Sequence, residues 1–340
     1  MNKNPLVIIN NEKIFRQGND FYCDNVDMSI IPSEFKNFQQ TLFIGRKSKK
    51  KGGHKIELEN TKPASNILTF LYLIFKTFKI QKNSYLLIGV TPYTFFAFLI
   101  LYIFRRKIFI YLRSSGHEEF KYLYGSWSVW IHHLMFIIVS NNSSVIVNNS
   151  RLYKKKECHI ISSSRLDESW FRNHNNHNTS SLDKIKLLYV GRISREKGIF
   201  NFIEMLDKLN INFQFSIVGN LKNLKFKNEK IKILGYISNT ESLIKVYDEN
   251  HITILPSFTE GQPLTIDESL SRNRPVIIFE DINYVIKERK GIFIAKRNID
   301  SFSETVRHVI NNYQDIQEDI KKNKFTTKKD MVKQISDIVG

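Results

Sequence analysis

The sequence predicts an α/β protein of two domains, and three observations carry that reading. Short apolar runs of strand length alternate with segments of helical period, the order that βαβ units require. A polar stretch without apolar period, residues 172–181, interrupts the alternation near the middle. At 340 residues the chain is long enough for two domains, each with its own core.

In the first half, residues 5–11 read as the opening strand, and Gly18 as a plain turn that follows it. Residues 41–46 form a second strand. Lys47-Ser48-Lys49-Lys50-Lys51-Gly52-Gly53-His54-Lys55 follows, a basic hairpin-like loop that is either a solvated turn or a contact for lipid headgroups or an anionic acceptor. Residues 64–80 carry Leu, Ile and Phe at helical spacing, and 84–90 is a strand. Thr91-Pro92 then opens an almost wholly apolar helix over 93–104, closed by Arg105-Arg106-Lys107. Gly89, Thr91 and Pro92 break the apolar run, and a helix of about a dozen residues is too short to span a bilayer, so it reads as buried against a parallel sheet. The apolar segment 127–139 reads the same way. Both leave room for partial lipid contact, because aromatic residues interleave with basic ones. Residues 108–112 form a strand ending at Arg113-Ser114-Ser115-Gly116-His117, and 144–148 and 159–162 are the last strands of this half. Arg151 and Lys154-Lys155-Lys156 lie in the turn between those two. His132, His133, His174 and His177 lack partners at metal-ligand spacing and read as solvent-facing.

The second half is more specific. A buried strand at 185–190 leads into Gly191-Arg192-Ile193-Ser194-Arg195-Glu196-Lys197-Gly198. The glycine at the strand tip leaves room for close approach, and Arg192 and Lys197 are two cations that can neutralise a diphosphate leaving group. A helix over 199–209 and strands at 213–218 and 231–234 follow, and Ser238-Asn239-Thr240-Glu241 reads as a capping box for a helix at 239–248. The apolar strand Ile252-Thr253-Ile254-Leu255 is ended by Pro256, and a short loop then carries Glu260 beside Gly261. Pro263 suits the first turn of a helix, on which Glu268 follows Glu260 by eight residues. N–H groups near Leu264, Thr265 and Ile266 carry the positive end of that helix dipole and can cradle a phosphate. The two carboxylates beside them can hold sugar hydroxyls. Strands at 275–279 and 291–295, a helix at 300–313 and a basic tail with Met331, Ile335, Ile338 and Val339 on one face close the chain.

Pro256-Ser257-x-x-Glu260-Gly261-x-Pro263 with Glu268 completing E-x7-E, together with the Gly191–Gly198 string, resembles the donor-site signatures of retaining GT-B glycosyltransferases of the GT4 type. The resemblance implies a GT-B fold, two doubly wound Rossmann-like domains facing across a cleft. It implies an N-terminal acceptor-binding domain at 1–172, a linker at 173–184, a nucleotide-sugar-binding domain at 185–320 and a tail helix at 321–340 that packs back on the first domain. The implied reaction moves a sugar from a nucleotide sugar to a hydroxyl of a glycan or lipid-linked acceptor, with retention, in surface polysaccharide, lipopolysaccharide or glycolipid synthesis. No metal and no cofactor is implied. Carried over, Glu260 positions the donor sugar, Glu268 binds the ribose, and Arg192 and Lys197 hold the diphosphate. Gly261, Gln262, Leu264 and Thr265 complete the donor contacts. His117 is a catalytic candidate by its place at a strand end, with a surface-loop histidine as the alternative. The chain departs from the family at Ser271-Arg272-Asn273-Arg274-Pro275, where a small residue and a glycine are usual, and its first half matches only in the order of elements. Other readings are a GT-B-fold epimerase or phosphorylase, or an inactive membrane- or nucleic-acid-binding protein.

The formal net charge is +18. Residues 1–180 hold 25 Lys+Arg against 12 Asp+Glu and the remainder 26 against 21, an asymmetry that codon bias alone would not produce. No RNP-like string, zinc-finger spacing or helix-turn-helix is present, so an anionic membrane surface is a better expected partner than nucleic acid. Two distant cysteines and an apolar start too short for a signal peptide suit a cytoplasmic protein, on the inner face of the cytoplasmic membrane.

Overall fold

Runs of Ile, Leu, Val, Phe and Tyr build each sheet, because strands buried on both faces need no polar alternation. The computed structural model describes residues 3–80, 82–113, 116–153, 157–172, 184–219 and 228–340. Lys154-Lys155-Lys156 and most of the expected linker, with His174 and His177, lie outside the described residues. The chain divides into Met1–Arg165 with Lys328–Gly340, and Leu166–Thr327.

The first unit opens with β1 (Leu6–Gln17), β2 (Asp20–Cys23), α1 (Val26–Phe35), β3 (Thr41–Lys47), β4 (His54–Ile56), β5 (Thr61–Ala64) and α2 (Ile67–Lys76). It continues with β6 (Ser84–Ile88), α3 (Pro92–Ile103), β7 (Lys107–Leu112), α4 (Gly116–Tyr124), α5 (Trp127–Asn141), β8 (Ser144–Val147) and β9 (Cys158–Ile160). The parallel sheet runs β5-β3-β1-β6-β7-β8-β9. Past an irregularity between Ile9 and Lys13, β1 turns at Gly18 (φ 59°) into antiparallel β2, which β4 extends. The basic loop 47–55 folds onto this hairpin. The Lys51 ammonium lies 4.2 Å from the Tyr22 ring, Lys55 pairs with Asp20 at 2.9 Å, and a Cβ on Gly52 would fall 2.2 Å from the Cys23 backbone.

Helix α1 packs with the C-terminal helix Lys328–Val339 on one sheet face, through Met28, Ile31 and Phe35 against Met331, Val332, Ile335 and Val339. The sequence reading passed over α1 because Pro32 stands inside it; the Asn25 side chain, accepting from the Asp27 N–H, starts it. Helices α2, α3 and α5 cover the opposite face with Phe70, Ile74, Phe98, Leu101, Met135 and Val139. Among the described residues no helix is long and apolar enough to cross a membrane. Asp27 is buried between Arg113, at the end of β7, and Arg165, whose Nε and Nη2 donate to it at 2.7 and 2.9 Å. Burial alone would push this carboxyl up, but the two guanidinium groups hold it well below the ordinary carboxylate range.

The second unit comprises β10 (Ile185–Val190), α6 (Ile199–Leu206), β11 (Phe213–Val218), β12 (Ile231–Gly235), α7 (Thr240–Glu249) and β13 (Ile252–Leu255). It ends with α8 (Leu264–Ser271), β14 (Val276–Phe279), β15 (Ile292–Ala295), α9 (Ile299–Asn311) and α10 (Tyr313–Ile320). All strands are parallel in the order β12-β11-β10-β13-β14-β15, a doubly wound sheet whose direction of winding reverses between β10 and β13. The expected capping box before α7 is Asn239 alone, which accepts from the Ser242 N–H at 2.9 Å.

Residues 166–172, placed by the sequence reading in the first half, pack here instead. Leu166 and Trp170 join Leu188, Val218, Val246 and Tyr247 in one cluster. Arg272 fixes them: it pairs twice with Asp248 (2.8 and 2.7 Å) and donates to the Trp170 and Arg172 carbonyls. Arg274 is equally buried and donates to the Tyr247 and Asp248 carbonyls. Asn273 between them takes the left-handed conformation (φ 56°) that a glycine commonly fills at a helix C-terminus. The departure from the family's small residues is thus packed by two arginines that satisfy backbone carbonyls.

Candidate functional site

In a doubly wound sheet, ligands bind outside the carboxyl ends of the strands where the winding reverses. The two strings singled out in the sequence follow β10 and β13, the strands on either side of that point. They dock on each other through the backbone: the Phe258 N–H donates to the Glu196 carbonyl at 3.0 Å. Gly198 (φ 64°) lies so close to Pro256 that a Cβ would stand 2.0 Å from its carbonyl oxygen, so no other residue fits there.

This docking brings Lys197 and Glu260 together, 63 residues apart in sequence. The Lys197 ammonium donates to both carboxylate oxygens at 2.8 Å, and the side chains keep 18% and 9% of their exposure. Ser257 donates to the same carboxylate at 2.7 Å. The Tyr284 hydroxyl clamps the Glu260 backbone, accepting from its N–H (3.0 Å) and donating to its carbonyl (2.7 Å). Arg297 braces the loop before it. Its guanidinium donates to the Pro256 and Ser257 carbonyls, pairs with Asp281 and stacks on Phe258 and Phe279 at 4.0 and 4.7 Å.

Arg192 stands apart from this packing. Its side chain is 82% exposed, 3.9 Å from Glu196, while its carbonyl accepts from the buried Tyr189 hydroxyl. The backbone is therefore anchored and the cation left in solvent. Glu196 itself is partly desolvated, but the Ser194 hydroxyl bonded to it brings its carboxyl below the usual range.

Helix α8 begins at Leu264 with Pro263 as its N-cap. The Ile266 N–H is already given to the Pro263 carbonyl at 3.2 Å, so the donors that could meet an anion narrow to Leu264 and Thr265, which precede the first N–H bonded within the helix. Thr265 also ties the helix to the sheet, its hydroxyl donating to the Val190 carbonyl at the end of β10. Glu268 lies on α8 as expected, but it is buried and accepts from the Tyr247 hydroxyl at 2.9 Å. Gln262 is half-buried and Gly261 exposed.

Gly261 has no positive φ, and a Cβ there would meet nothing within 4 Å. Gly261→Ala is therefore expected to leave the melting temperature unchanged while weakening donor binding tenfold or more, since overpacking a close contact costs about 1–3 kcal/mol. Nucleotide titration of both proteins, with melting curves, checks this; equal affinities would remove Gly261 from the donor contact.

His117 lies in the first unit, at the second residue of α4 rather than in a loop. Its ring meets His132 edge-on at 4.5 Å, and its Nε2 is 3.2 Å from His133 Nδ1. His132, expected in solvent, is buried, and burial together with the nearby His117 lowers its pKa to about 4. Gly116 makes this packing possible, because a Cβ there would lie 2.3 Å from His132 Nε2. Among the described residues, no group of three or more His, Cys, Asp or Glu side chains is arranged to hold a metal ion.

The family described as Glycosyl transferases group 1 matches residues 171–327. The match lies within the second unit and covers less than half of the chain. An uncharacterized glycosyltransferase of Haemophilus influenzae is 26% identical over 147 residues, 39% of this chain and 41% of that protein. The putative teichuronic acid biosynthesis glycosyltransferase TuaC of Bacillus subtilis is 26% identical over 128 residues, 37% and 33% of the two chains. The chain thus spans about two fifths or less of the curated relatives it matches. Solved structures similar over nearly the whole length are sucrose-phosphate synthase from Thermosynechococcus elongatus (TM-score 0.70, 12% identity, 99% and 98% covered) and WaaG, a glycosyltransferase involved in lipopolysaccharide biosynthesis (0.67, 10%, 98% and 99%). Anabaena HepE, solved with UDP and glucose, aligns at 0.63 and 12% identity over 99% and 95%. At such identities the likeness concerns the fold, and the fold is GT-B. Within the matched residues, Tyr284, Arg297 and Tyr247 are the supporting side chains the sequence reading missed, and Ser257 stood in the signature without a role of its own.

Proposed function

We propose that the chain transfers a glycosyl group from a nucleoside-diphosphate sugar to a hydroxyl of a glycan or lipid-linked acceptor, with retention at the anomeric carbon. The Lys197–Glu260 pair at the reversal point of the second sheet is the observation that carries this reading. Without donor, each ion neutralises the other. A donor whose diphosphate meets Lys197 and whose sugar hydroxyls meet Glu260 replaces that single pair with two charge-assisted contacts. Arg192 and the Leu264 and Thr265 N–H groups add positive potential where the leaving group gathers charge.

In the reaction the bond between the anomeric carbon and the diphosphate oxygen breaks, and its electron pair stays on the phosphate. The acceptor oxygen bonds to the same face of that carbon, and its proton passes to the departing phosphate oxygen. Side-chain cations and backbone donors supply the neutralisation that a divalent metal would otherwise provide, so no metal is required. The UDP and glucose held by the structurally similar HepE support a nucleotide-sugar donor, and the names of TuaC and WaaG support a place in surface glycan synthesis.

Calorimetry with UDP, GDP and ADP, with and without EDTA, tests the donor site. One diphosphate should bind, equally well in EDTA, and Arg192→Ala should weaken it, because a hydrogen bond to a charged group contributes about 1.5–3 kcal/mol. Absence of binding by all three, or binding that EDTA abolishes, would overturn the reading.

A further inference from the structure

Large apolar side chains that stay in water are distributed very unevenly over this protein. Among the described residues, all of them except Ile160, Tyr236, Phe258 and Ile294 lie on α2, α3, α4, α5 and the turns that end these helices. Leu68, Ile103, Trp127 and Trp130 are 75%, 72%, 67% and 71% exposed. On the opposite face of the same sheet, α1 and the C-terminal helix leave none exposed. Helix α2 packs beside α3 and α3 beside α5, so the exposed groups belong to one continuous layer.

The charges of this layer are equally one-sided. Helices α2, α3 and α5, of 10, 12 and 15 residues, contain no Asp or Glu at all. Their cations gather at one end. In parallel βαβ units the helices run back against the strands, so the C-termini of α2 and α3 reach the same edge of the sheet, the one where β6 and β7 start. Lys76 ends α2 there, Lys79 and Lys82 follow it, and Arg105 and Lys107 stand after α3. Between them Phe75 meets Phe78 and Phe104 edge-to-face and Phe78 lies tilted against Phe104, with centroids 5.0–5.6 Å apart, while Phe75 and Phe104 remain half in water. An open cavity of about 240 Å³ borders this edge, lined mostly by apolar groups such as Leu6, Leu73 and Ile80, with Lys62 and Lys76 in its wall.

We infer that the α2–α3–α5 layer is a docking face for an anionic lipid bilayer. The exposed aromatic and aliphatic groups enter the headgroup–acyl boundary, and the edge lysines and arginines meet the lipid phosphates. Among the described residues no helix is long and apolar enough to span the bilayer; the layer lies in the interface, where an apolar face bordered by Lys and Arg is at home. Tyr and Trp suit that depth because one end of each ring system is apolar and the other polar. The absence of carboxylates from α2, α3 and α5 selects for this occupant, since an anionic surface repels them and a neutral protein partner would not; Glu118 and Glu119 stand on the adjoining α4, outside this layer. The basic 47–55 loop, read from sequence as either a solvated turn or a contact for lipid headgroups or an anionic acceptor, is not part of this face; it is folded on the antiparallel β2–β4 pair at the opposite, carboxyl end of the strands.

This inference is independent of the donor site, and nucleotide titration reports the second unit separately. The test is flotation of the full chain with vesicles of phosphatidylcholine alone or with phosphatidylglycerol, at low and high salt, with light scattering for oligomeric state. Binding should require the anionic lipid and fade as the screening length falls from about 10 Å near 0.1 M to about 3 Å at 1 M. Two surface variants, Lys79→Glu with Arg105→Glu and Ile103→Ser with Trp130→Ser, should each lower partitioning about tenfold or more, with melting and nucleotide binding unchanged. Failure to float with either vesicle overturns the inference, as does equal binding to neutral vesicles at every salt concentration. So does a stable dimer that the Ile103→Ser/Trp130→Ser variant dissociates, because a second copy would then cover the face.

Discussion

Lys197→Ala and Arg192→Ala should each reduce turnover about 10²–10³-fold, the usual effect of removing one group that stabilises charge developing in the transition state. Their effects on stability should differ, and the difference follows from burial. Arg192 projects into solvent, so its removal leaves the melting curve where it was. Lys197 is the counter-ion of the nearly buried Glu260, and its loss strands a carboxylate that Ser257 alone still contacts through its side chain. Breaking such a pair costs about 3–5 kcal/mol, and the second-unit transition should fall accordingly. Lys197→Ala with Glu260→Gln should recover much of that stability but none of the turnover. The measurements are initial rates with the donor identified by calorimetry, and thermal melts of all four proteins. Arg192→Ala and Lys197→Ala enzymes that both keep most of their turnover would remove the diphosphate role from these cations.

The candidate site was legible because its residue pattern is local in sequence. A strand end, a short loop and a helix N-terminus place Gly191 to Gly198 and Pro256 to Glu268 within two strings whose residue types follow from close approach and charge. What supports them was not legible. Tyr284 clamps Glu260 from 24 residues away and Arg297 grips Pro256 from 41, and neither carries a local pattern, since only the fold brings them near. The roles of Arg272 and Arg274 were not legible for a related reason. A charged pair in a turn ordinarily faces water, and nothing nearby in sequence announced that Asp248 and the carbonyls of Tyr247, Trp170 and Arg172 would surround them. In the first half, apolar patterning found α2, α3 and α5, by helical spacing in α2 and by nearly continuous apolar runs in α3 and α5. It missed α1, where Pro32 masks a helix that Asn25 caps and the distant C-terminal helix covers. It also could not distinguish the core-facing side of the apolar helices from the exposed one, because α3 is apolar almost all round. Only the sheet decides which side of α3 is buried.

Asp27→Asn should destabilise the first unit by about 3–5 kcal/mol at pH 7, because it removes the single carboxylate on which Arg113 and Arg165 converge. The pH dependence identifies the mechanism. The folded-state pKa of Asp27 is depressed by the two guanidinium groups, so its contribution is fully present above the unfolded value of about 3.9 and is lost as pH falls through the folded one. The wild-type protein should therefore lose stability as pH drops below about 4, with the Asp27→Asn variant losing less, so that the gap between them narrows toward acid. Urea titrations at pH 7 and below pH 4, read by a probe placed in the first unit, measure both quantities; separate transitions are expected because the chain folds as two units. Asp27→Ala supplies a control, since it removes the carboxylate and leaves a cavity, and should be less stable than Asp27→Asn at both pH values. The ion-pair account fails if the Asn variant is as stable as wild type at pH 7, or if the gap between them stays constant from neutral to acid pH. In that case the loss belongs to packing around α1, and the arginines are held by something other than the charge of Asp27.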